Sequence, residues 1–347
     1  MAIAANLKTV LKAVVPKPIQ TTKYAALFWT DLLKMVHNAN LIKENAELKQ
    51  QIKNDVQKTL QLKFPNTPLQ VRFFGSRIMG VGDSESDLDI YLVIGNSSGV
   101  YNEKLTPKVL FNLRTIVSAI LANRTEWELT AVKDRFFPLV TAVHKGTNIK
   151  CDINFLNRMS CDQNQLVNYI FKLQPIARYM VIFLRAWSQK HGLSRCFRSH
   201  IFILLVIFFL QVQGHLPAIK DLQTDLVPNV APWTSNFHEF PLSKFGMREI
   251  GVNENKTRQI LHEFFKLYST FPFHELVVCP YLGKRVSRQQ LKDLMPSFFK
   301  YPVKSPVFVQ DLILLDHNKG FQVKQVQIYA FQDECCAEIE NYYDDYY

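Results

Sequence analysis

The sequence has few cysteines, and their spacing matches neither a metal site nor a disulfide framework. Six cysteines occur among 347 residues without a C-x-x-C pair, and the only close pair, Cys335 and Cys336, is vicinal. Structural zinc sites need Cys and His ligands at characteristic short spacings. A chain of this length can also bury a core without disulfides. The cysteine pattern therefore argues against structural zinc and favours a reducing compartment.

Long apolar runs are also missing. The longest, Ile201–Leu210, is shorter than the roughly 20 residues that a transmembrane helix needs, and it predicts a helix buried on nearly all sides. The first 23 residues contain lysines but neither arginine nor serine, whereas mitochondrial presequences are rich in both. We therefore expect no membrane partner, a basic leader over residues 1–23 and a cytoplasmic location, with the mitochondrion and the nucleus as alternatives.

Common nucleotide and calcium motifs are incomplete. Gly80-Val81-Gly82 lacks the third glycine of a dinucleotide-binding loop. Gly283-Lys284 lacks the upstream glycine and the following Ser or Thr of a P-loop. The acids between Asp83 and Asp87 resemble the start of a calcium loop, but Leu88 stands where that loop needs glycine. None of these three motifs supports a function.

Basic residues outnumber acidic ones, and they are unevenly distributed. The net charge is +11, yet residues 333–347 contain six acids and no Lys or Arg. The rest of the chain is therefore more basic than the total suggests. A basic body suits a polyanionic partner such as nucleic acid or an anionic membrane surface, although an ordinary solvated surface has the same composition. We expect the acidic, tyrosine-rich segment 333–347 to be disordered.

Hydrophobic periodicity divides the chain into an α/β region and a helical region. The predicted helices are Tyr24–His37, Lys43–Leu62, Pro107–Leu121, Gln163–Leu173, Pro175–Lys190, Ser199–Gln213 and Lys256–Tyr268. The predicted strands are Leu69–Phe74, Asp87–Ile94, Trp127–Val132, Phe137–His144 and Ile149–Phe155. The predicted fold class is α+β and two-lobed, with a mixed-sheet, palm-like domain joined to a mostly helical domain. We assign residues 24–62 to N-terminal helices that pack on the helical lobe, 63–162 to the sheet domain and 163–325 to the helical domain.

Two aspartates on one predicted strand carry the main functional signal. Asp87 and Asp89 are two residues apart, so their carboxylates point to the same face. Asp152, in a later predicted strand, can add a third carboxylate from a neighbouring strand. Clustered carboxylates repel one another and bind hard divalent cations through oxygen. The pattern predicts a site for two Mg²⁺ or Mn²⁺ ions, as nucleotidyl transfer requires. An Asp-x-Asp pair alone also fits a capped turn or a solvated strand edge.

A glycine and a serine precede the paired aspartates. Gly75 and Ser76 follow the predicted strand Leu69–Phe74. Glycine allows the backbone to approach a phosphate closely, and the serine hydroxyl with nearby N–H groups can hold phosphate oxygens. The pair therefore predicts a phosphate-binding turn beside the carboxylates.

These motifs together resemble a known signature. Phe74-Gly75-Ser76-Arg77, followed by Ser86-Asp87-Leu88-Asp89-Ile90 and later by Asp152, is similar to the signature of DNA-polymerase-β-like nucleotidyltransferases. More narrowly, residues 24–325 resemble the noncanonical poly(A) polymerases and terminal uridylyltransferases. The resemblance implies that Asp87, Asp89 and Asp152 are catalytic metal ligands and that Gly75 and Ser76 contact the triphosphate. It also implies a poly(A)-polymerase-associated region at about 257–318.

Five further positions receive nucleotide-binding roles from the resemblance alone. It implies a ribose contact for Asn157, a phosphate contact for Arg185, and triphosphate binding and base stacking for Ser199 and His200. His317 matches a histidine that favours uracil over adenine in the uridylyltransferases. We therefore expect a template-independent enzyme that transfers UMP from UTP to RNA 3′ ends.

Two alternatives stay open. One is an adenylyltransferase that uses ATP, and the other is a weak or inactive family member that only binds RNA. Gln189 stands where the family has a phosphate-binding lysine, and Leu312 replaces a proline. We found no zinc knuckle or RNP-type aromatic motif. We therefore expect a monomer whose RNA is chosen by the cleft between the lobes or by an RNA-targeting protein partner.

Overall fold

The computed structural model describes residues 23–95, 106–135, 138–156, 158–230, 232–295 and 305–344. The helices are α1 Lys23–Glu44, α2 Ala46–Gln61, α3 Ser76–Met79, α4 Pro107–Ala122, α5 Met159–Leu173, α6 Pro175–Lys190, α7 Ser199–Val212, α8 Ile219–Leu222, α9 Glu254–Ser269, α10 Arg288–Leu294 and α11 Gln325–Asp344. The strands are β1 Leu69–Phe74, β2 Leu88–Ile94, β3 Trp127–Lys133, β4 Leu139–His144, β5 Ile149–Asn154, β6 Leu276–Val277 and β7 Val286–Ser287. The predicted leader, apart from Lys23, lies outside the described residues.

A five-stranded mixed sheet forms the first lobe. Its strand order is β1-β2-β5-β4-β3, and β2 and β5 are parallel whereas the other neighbours are antiparallel. In this register Asp89 on β2 lies directly opposite Asp152 on β5. Side chains of residues paired in this way leave the same face of a sheet. The sheet therefore brings together two of the predicted carboxylates from segments more than 60 residues apart in the sequence.

Helices α2 and α4 cover the sheet and complete a separate hydrophobic core. Ile52, Val56 and Leu60 recur every four residues on α2 and are buried in this core. The indole N–H of Trp127 donates to Thr59 Oγ1 at 3.1 Å, which ties β3 to α2. The prediction that both N-terminal helices pack on the helical lobe is therefore wrong for α2, because its apolar face lies against the sheet.

The second lobe is helical and is built around α7. Every residue of α7 from Ile201 to Gln211 is buried, as the apolar run predicts. Around it pack aromatic residues of α6, α9 and α11, and the α1 residues Leu32 and Val36 belong to the same core. The predicted division into a mixed-sheet lobe and a helical lobe is confirmed. None of the described helices has the length and hydropathy needed to cross a membrane.

The acidic C-terminal segment is a helix up to Asp344. α11 contacts α9, and its residues Ile328, Phe331 and Cys335 are fully or almost fully buried. The ring of Phe331 stacks on Phe197 with centroids 4.5 Å apart. The prediction of disorder from residue 333 is therefore wrong for the described part. It rested on the acidic composition, whereas these three residues lie on one helix face and bury apolar area.

Candidate active site

A cleft of about 960 Å³ separates the sheet from the helical lobe. Residues of β1, β2 and β5 line one wall, and residues of α6, α7 and the segment 311–319 line the other. This volume is within the range of sites that enclose small molecules. The cleft also contains most of the residues that the sequence singled out.

The three predicted carboxylates all line the cleft. Asp89 and Asp152 lie opposite each other on β2 and β5, and Asp87 directly precedes β2. Asp87 Oδ2 is 3.0 Å from Lys150 Nζ, and Thr141 Oγ1 donates to Asp152 Oδ1 at 2.7 Å. These two acids therefore have a compensating cation or donor.

Asp89 has no such direct contact. No hydrogen bond to its carboxylate is found within the described part of the chain. Desolvation, together with the neighbouring charges of Asp152 and Asp87, raises the pKa of Asp89 to about 7. Negative charge that is crowded and poorly solvated in this way is stabilised by a divalent cation. The three carboxylates therefore fit the expected Mg²⁺ or Mn²⁺ ions.

Gly75 is required by the packing of Asp89. A Cβ at position 75 would lie 1.8 Å from Asp89 Oδ2, and Gly75 has a φ of +83°, which favours glycine. The Gly75 N–H donates to Asn164 Oδ1 at 2.9 Å, so this N–H is already bonded. Ser76 lines the cleft at the first residue of α3. Its predicted contact with phosphate stays a prediction.

Arg185 lines the cleft but is held by the loop that leads to Asp87. Its Nη1 donates to the Val81 carbonyl at 2.5 Å, and its Nη2 donates to Ser86 Oγ at 2.9 Å and lies 3.2 Å from Asp83 Oδ2. From the other side, Arg77 donates to the Ser86 carbonyl at 2.6 Å. These contacts tie the helical lobe to the segment before the carboxylates, and they leave the predicted phosphate contact of Arg185 untested.

The opposite wall contains Ser199 and His200 at the start of α7. The His200 ring is accessible from the cleft, but the surrounding protein desolvates it. Desolvation, with the positive charges of Lys319 and Arg198, lowers the pKa of His200 to about 4. His200 is therefore neutral at pH 7, which is compatible with the predicted stacking on a base.

Two predicted nucleotide-binding residues do not join this group. His317 is not among the residues that line the cleft; its side chain is 38% exposed, with Nε2 3.9 Å from Asp316 Oδ1. The backbone N–H of Asp311, a residue that lines the cleft, donates to the His317 carbonyl at 3.0 Å, so His317 lies next to the cleft wall. Asn157 lies outside the described residues.

Several cleft residues were not predicted. Thr141 and Lys150 partner the acids, Asn164 holds Gly75, and Lys319 Nζ is 2.7 Å from the buried carboxylate of Asp311. Lys150 could have been found, since it is two residues before Asp152 on one strand and therefore faces the same side. The others come from distant segments and left no local signal in the sequence.

A second group of possible metal ligands lies elsewhere in the sheet lobe. Ligand atoms of Asp55, Glu126 and His144 lie within 4.8 Å of one another, and none of these residues lines the cleft. Both ring nitrogens of His144 have hydrogen-bond partners, Asp55 Oδ2 at 3.1 Å and Thr147 Oγ1 at 2.9 Å. These contacts account for the arrangement without an ion.

A mixed sheet with three clustered carboxylates, facing a helical lobe across a cleft, defines a nucleotidyltransferase-type protein. Comparison with family models narrows the class. Residues 28–172 match the model described as poly(A) RNA polymerase, mitochondrial-like, central palm domain, and residues 258–317 match the Cid1 family poly A polymerase model. The two matches together span more than half of the chain. The chain belongs to the family of noncanonical poly(A) polymerases and terminal uridylyltransferases, as its motifs predicted.

Curated relatives include both kinds of enzyme. The chain is 24% identical over 273 residues to the speckle targeted PIP5K1A-regulated poly(A) polymerase of Xenopus tropicalis, covering 75% of this chain and 31% of the relative. It is 24% identical over 295 residues to terminal uridylyltransferase 7 of Homo sapiens, covering 79% of this chain and 18% of the relative. The chain thus spans less than a third of the length of these relatives.

Solved structures share the fold across both lobes. A structure of mtPAP in complex with ATPγS has a TM-score of 0.70 at 19% identity, covering 98% of this chain and 75% of the other. A structure of Cid1, described with RNA terminal uridylyl transferase activity, has a TM-score of 0.66 at 17% identity, covering 91% of this chain and 94% of the other. At these identities the similarity establishes the fold, and the α+β fold class is confirmed.

Proposed function

We propose that this protein transfers nucleoside monophosphates from nucleoside triphosphates to the 3′ end of RNA. The observation that carries the proposal is the position of Asp87, Asp89 and Asp152 together in an open cleft large enough for a nucleotide. Membership of the family supports the same class of reaction. The excess of basic residues suits binding to the negatively charged RNA backbone.

The reaction needs no side-chain nucleophile. The 3′-hydroxyl oxygen of RNA loses its proton to solvent and forms a bond to the α-phosphorus. The bond from that phosphorus to the oxygen that bridges it to the β-phosphate breaks, and pyrophosphate leaves. Divalent ions at the carboxylates would supply Lewis acidity and neutralise phosphate charge. Thr141 and Lys150 orient the carboxylates of Asp152 and Asp87, and Gly75 leaves room beside Asp89.

Removal of a single carboxylate tests this proposal. We expect Asp87→Ala and Asp152→Ala to lose extension of an RNA oligomer by more than about a thousandfold, because the charge-stabilising site is lost. Asp134→Ala is the matched control, since Asp134 is exposed and does not line the cleft. Extension at the parent rate by either cleft variant, with an unchanged thermal unfolding curve, would exclude the mechanism.

We further propose UTP as the preferred donor. Two considerations support it: by resemblance, His317 matches a histidine that favours uracil in the uridylyltransferases, and the relatives include terminal uridylyltransferases. Incubation of the protein and RNA with each of the four triphosphates separately measures the preference. His317→Asn is expected to weaken the preference for UTP over ATP, and an unchanged ratio would remove His317 from the argument.

Adenylate transfer is the second candidate function. It is favoured by the description of the family model that matches residues 28–172 and by poly(A) polymerases among the relatives. Faster extension with ATP than with UTP in the same assay would support it. RNA binding without incorporation of any nucleotide, in Mg²⁺ or in Mn²⁺, would instead support a family member without turnover.

A further inference from the structure

Among the described residues, five cationic side chains line the cleft, and they differ in whether their charge is already paired. The five are Lys133, Lys150, Arg185, Arg198 and Lys319. Lys150 pairs with Asp87 at 3.0 Å, Arg185 with Asp83 at 3.2 Å and Lys319 with Asp311 at 2.7 Å. A cation that is paired with a carboxylate has less charge to offer to an incoming anion. Three of the five are therefore poor candidates for holding several phosphate charges.

Arg198 is a cation of the helical wall, and its charge is unpaired among the described residues. In the described segments, no hydrogen bond or ion pair engages its guanidinium group. It directly precedes Ser199 and His200, and all three line the cleft. Lys133 is also without a partner there, but it ends β3, which is separated from β2 by two strands in the sheet.

Two polar residues that share this wall with Arg198 carry no charge. His200 is neutral, since its pKa is lowered by desolvation and by the charges of Lys319 and Arg198. Gln189, which lines the same wall from α6, carries no charge. A polyphosphate bound along this wall would thus contact the unpaired guanidinium group of Arg198. Its planar set of N–H donors can bind two phosphate oxygens at once.

We propose that Arg198 binds the β- and γ-phosphates of the incoming nucleotide and is the main charged contact for the triphosphate in this cleft. This inference rests on the proposed function. The β- and γ-phosphates then lie toward the helical wall, and the α-phosphate lies at the carboxylates. Arg185 then serves as a positioning residue for the loop before Asp87.

Equilibrium binding of nucleotides tests the assignment without turnover. The probes are a non-hydrolysable UTP analogue and UMP, measured by calorimetry on the full chain with Mg²⁺. For Arg198→Gln we expect the affinity for the UTP analogue to fall roughly tenfold to a hundredfold, the range for a lost charged hydrogen bond. The affinity for UMP is expected to change less than about twofold, because UMP lacks the β- and γ-phosphates.

Two further variants make the result specific. Arg195→Gln is the matched control, because Arg195 is exposed in the same connection between α6 and α7 but does not line the cleft. It should bind both nucleotides like the parent. Gln189→Lys in the Arg198→Gln background should recover part of the lost affinity for the UTP analogue, because it restores a cation to the same wall.

The outcomes separate this inference from the proposed function. If the parent extends RNA and Arg198→Gln binds the UTP analogue normally, the assignment of Arg198 is wrong and the function stands. Equal loss of UTP-analogue and UMP affinity, or an effect only on the KM for RNA, would also overturn it. If the parent binds neither nucleotide, the proposed function fails, and this inference fails with it.

Discussion

Replacement of Asp89 by asparagine is expected to stabilise the fold while it removes activity. Asparagine has nearly the same shape as aspartate but no charge. The Asp89 carboxylate is desolvated and lies beside Asp152 and Asp87, which together with desolvation raise its pKa to about 7. The ionised form is therefore unfavourable in the folded protein when no cation is bound, and Asp89→Asn removes this unfavourable charge.

The magnitude follows from the shift in pKa. The folded pKa of about 7 compares with an ordinary aspartate pKa of 3.8. Between these pH values the folded state retains a proton that the unfolded state releases, so the free energy of unfolding falls as pH rises and stays low above pH 7. At about 1.4 kcal/mol per pKa unit, the penalty reaches roughly 4 kcal/mol at pH 8 as an upper limit. The expected increase in the free energy of unfolding for Asp89→Asn is less than half as large at pH 5 as at pH 8.

Urea unfolding in EDTA at pH 5 and pH 8 measures this gain. Asp87→Asn is the matched control and should gain less stability, because it relieves only part of the repulsion on Asp89 and removes the pairing of Asp87 with Lys150 at 3.0 Å. Mg²⁺ is expected to stabilise the parent, so the difference in the free energy of unfolding between the parent and Asp89→Asn should become smaller. Equal stability of the parent and Asp89→Asn at pH 8 in EDTA would refute the reasoning, as would a gain that does not depend on pH.

Three further substitutions test the packing around the site and the helical lobe. Gly75→Ala should abolish extension and lower the melting temperature, because the new Cβ would overlap Asp89 Oδ2; parent-like extension rates would contradict this. Arg185→Lys should lower kcat about tenfold or more with little change in the KM for UTP, since lysine cannot make all of its contacts with the loop; a rise in KM alone would instead indicate phosphate binding. Phe331→Ala should lower the free energy of unfolding in urea by about 3–5 kcal/mol, whereas a change below about 1 kcal/mol would show that α11 does not stabilise the lobe.

The elements and residues that could be predicted are those with local signals. The alternating pattern of Leu69–Phe74 and the uniform apolar run of α7 identify a strand and a buried helix without tertiary information. The Asp87 and Asp89 pair was visible because the two-residue repeat of a strand fixes the direction of both side chains. Asp152 was a candidate third carboxylate because it lies in a later predicted strand, and the resemblance to a family assigned it to the same site.

Tertiary contacts decided the features that could not be predicted. Acidic composition suggested disorder at the C-terminus, but the burial of Phe331 and Cys335 outweighs exposed charge on the other face of α11. The amphipathic pattern of α2 predicted a helix without indicating which lobe it covers. Likewise, the sequence indicates that Arg185 is a cation in the cleft, but not that Asp83 and the Val81 carbonyl already bind it.

Incorporation of labelled UMP into RNA by the parent and by Asp152→Asn is the most direct test of the central claim. Two oligomers are compared, one that ends in a 3′-hydroxyl and one that ends in a 3′-deoxynucleotide. We predict that the parent extends only the 3′-hydroxyl RNA, and that Asp152→Asn extends neither while it keeps the parent's affinity for RNA. Undiminished incorporation by Asp152→Asn, or label on the 3′-deoxy RNA, would contradict the account.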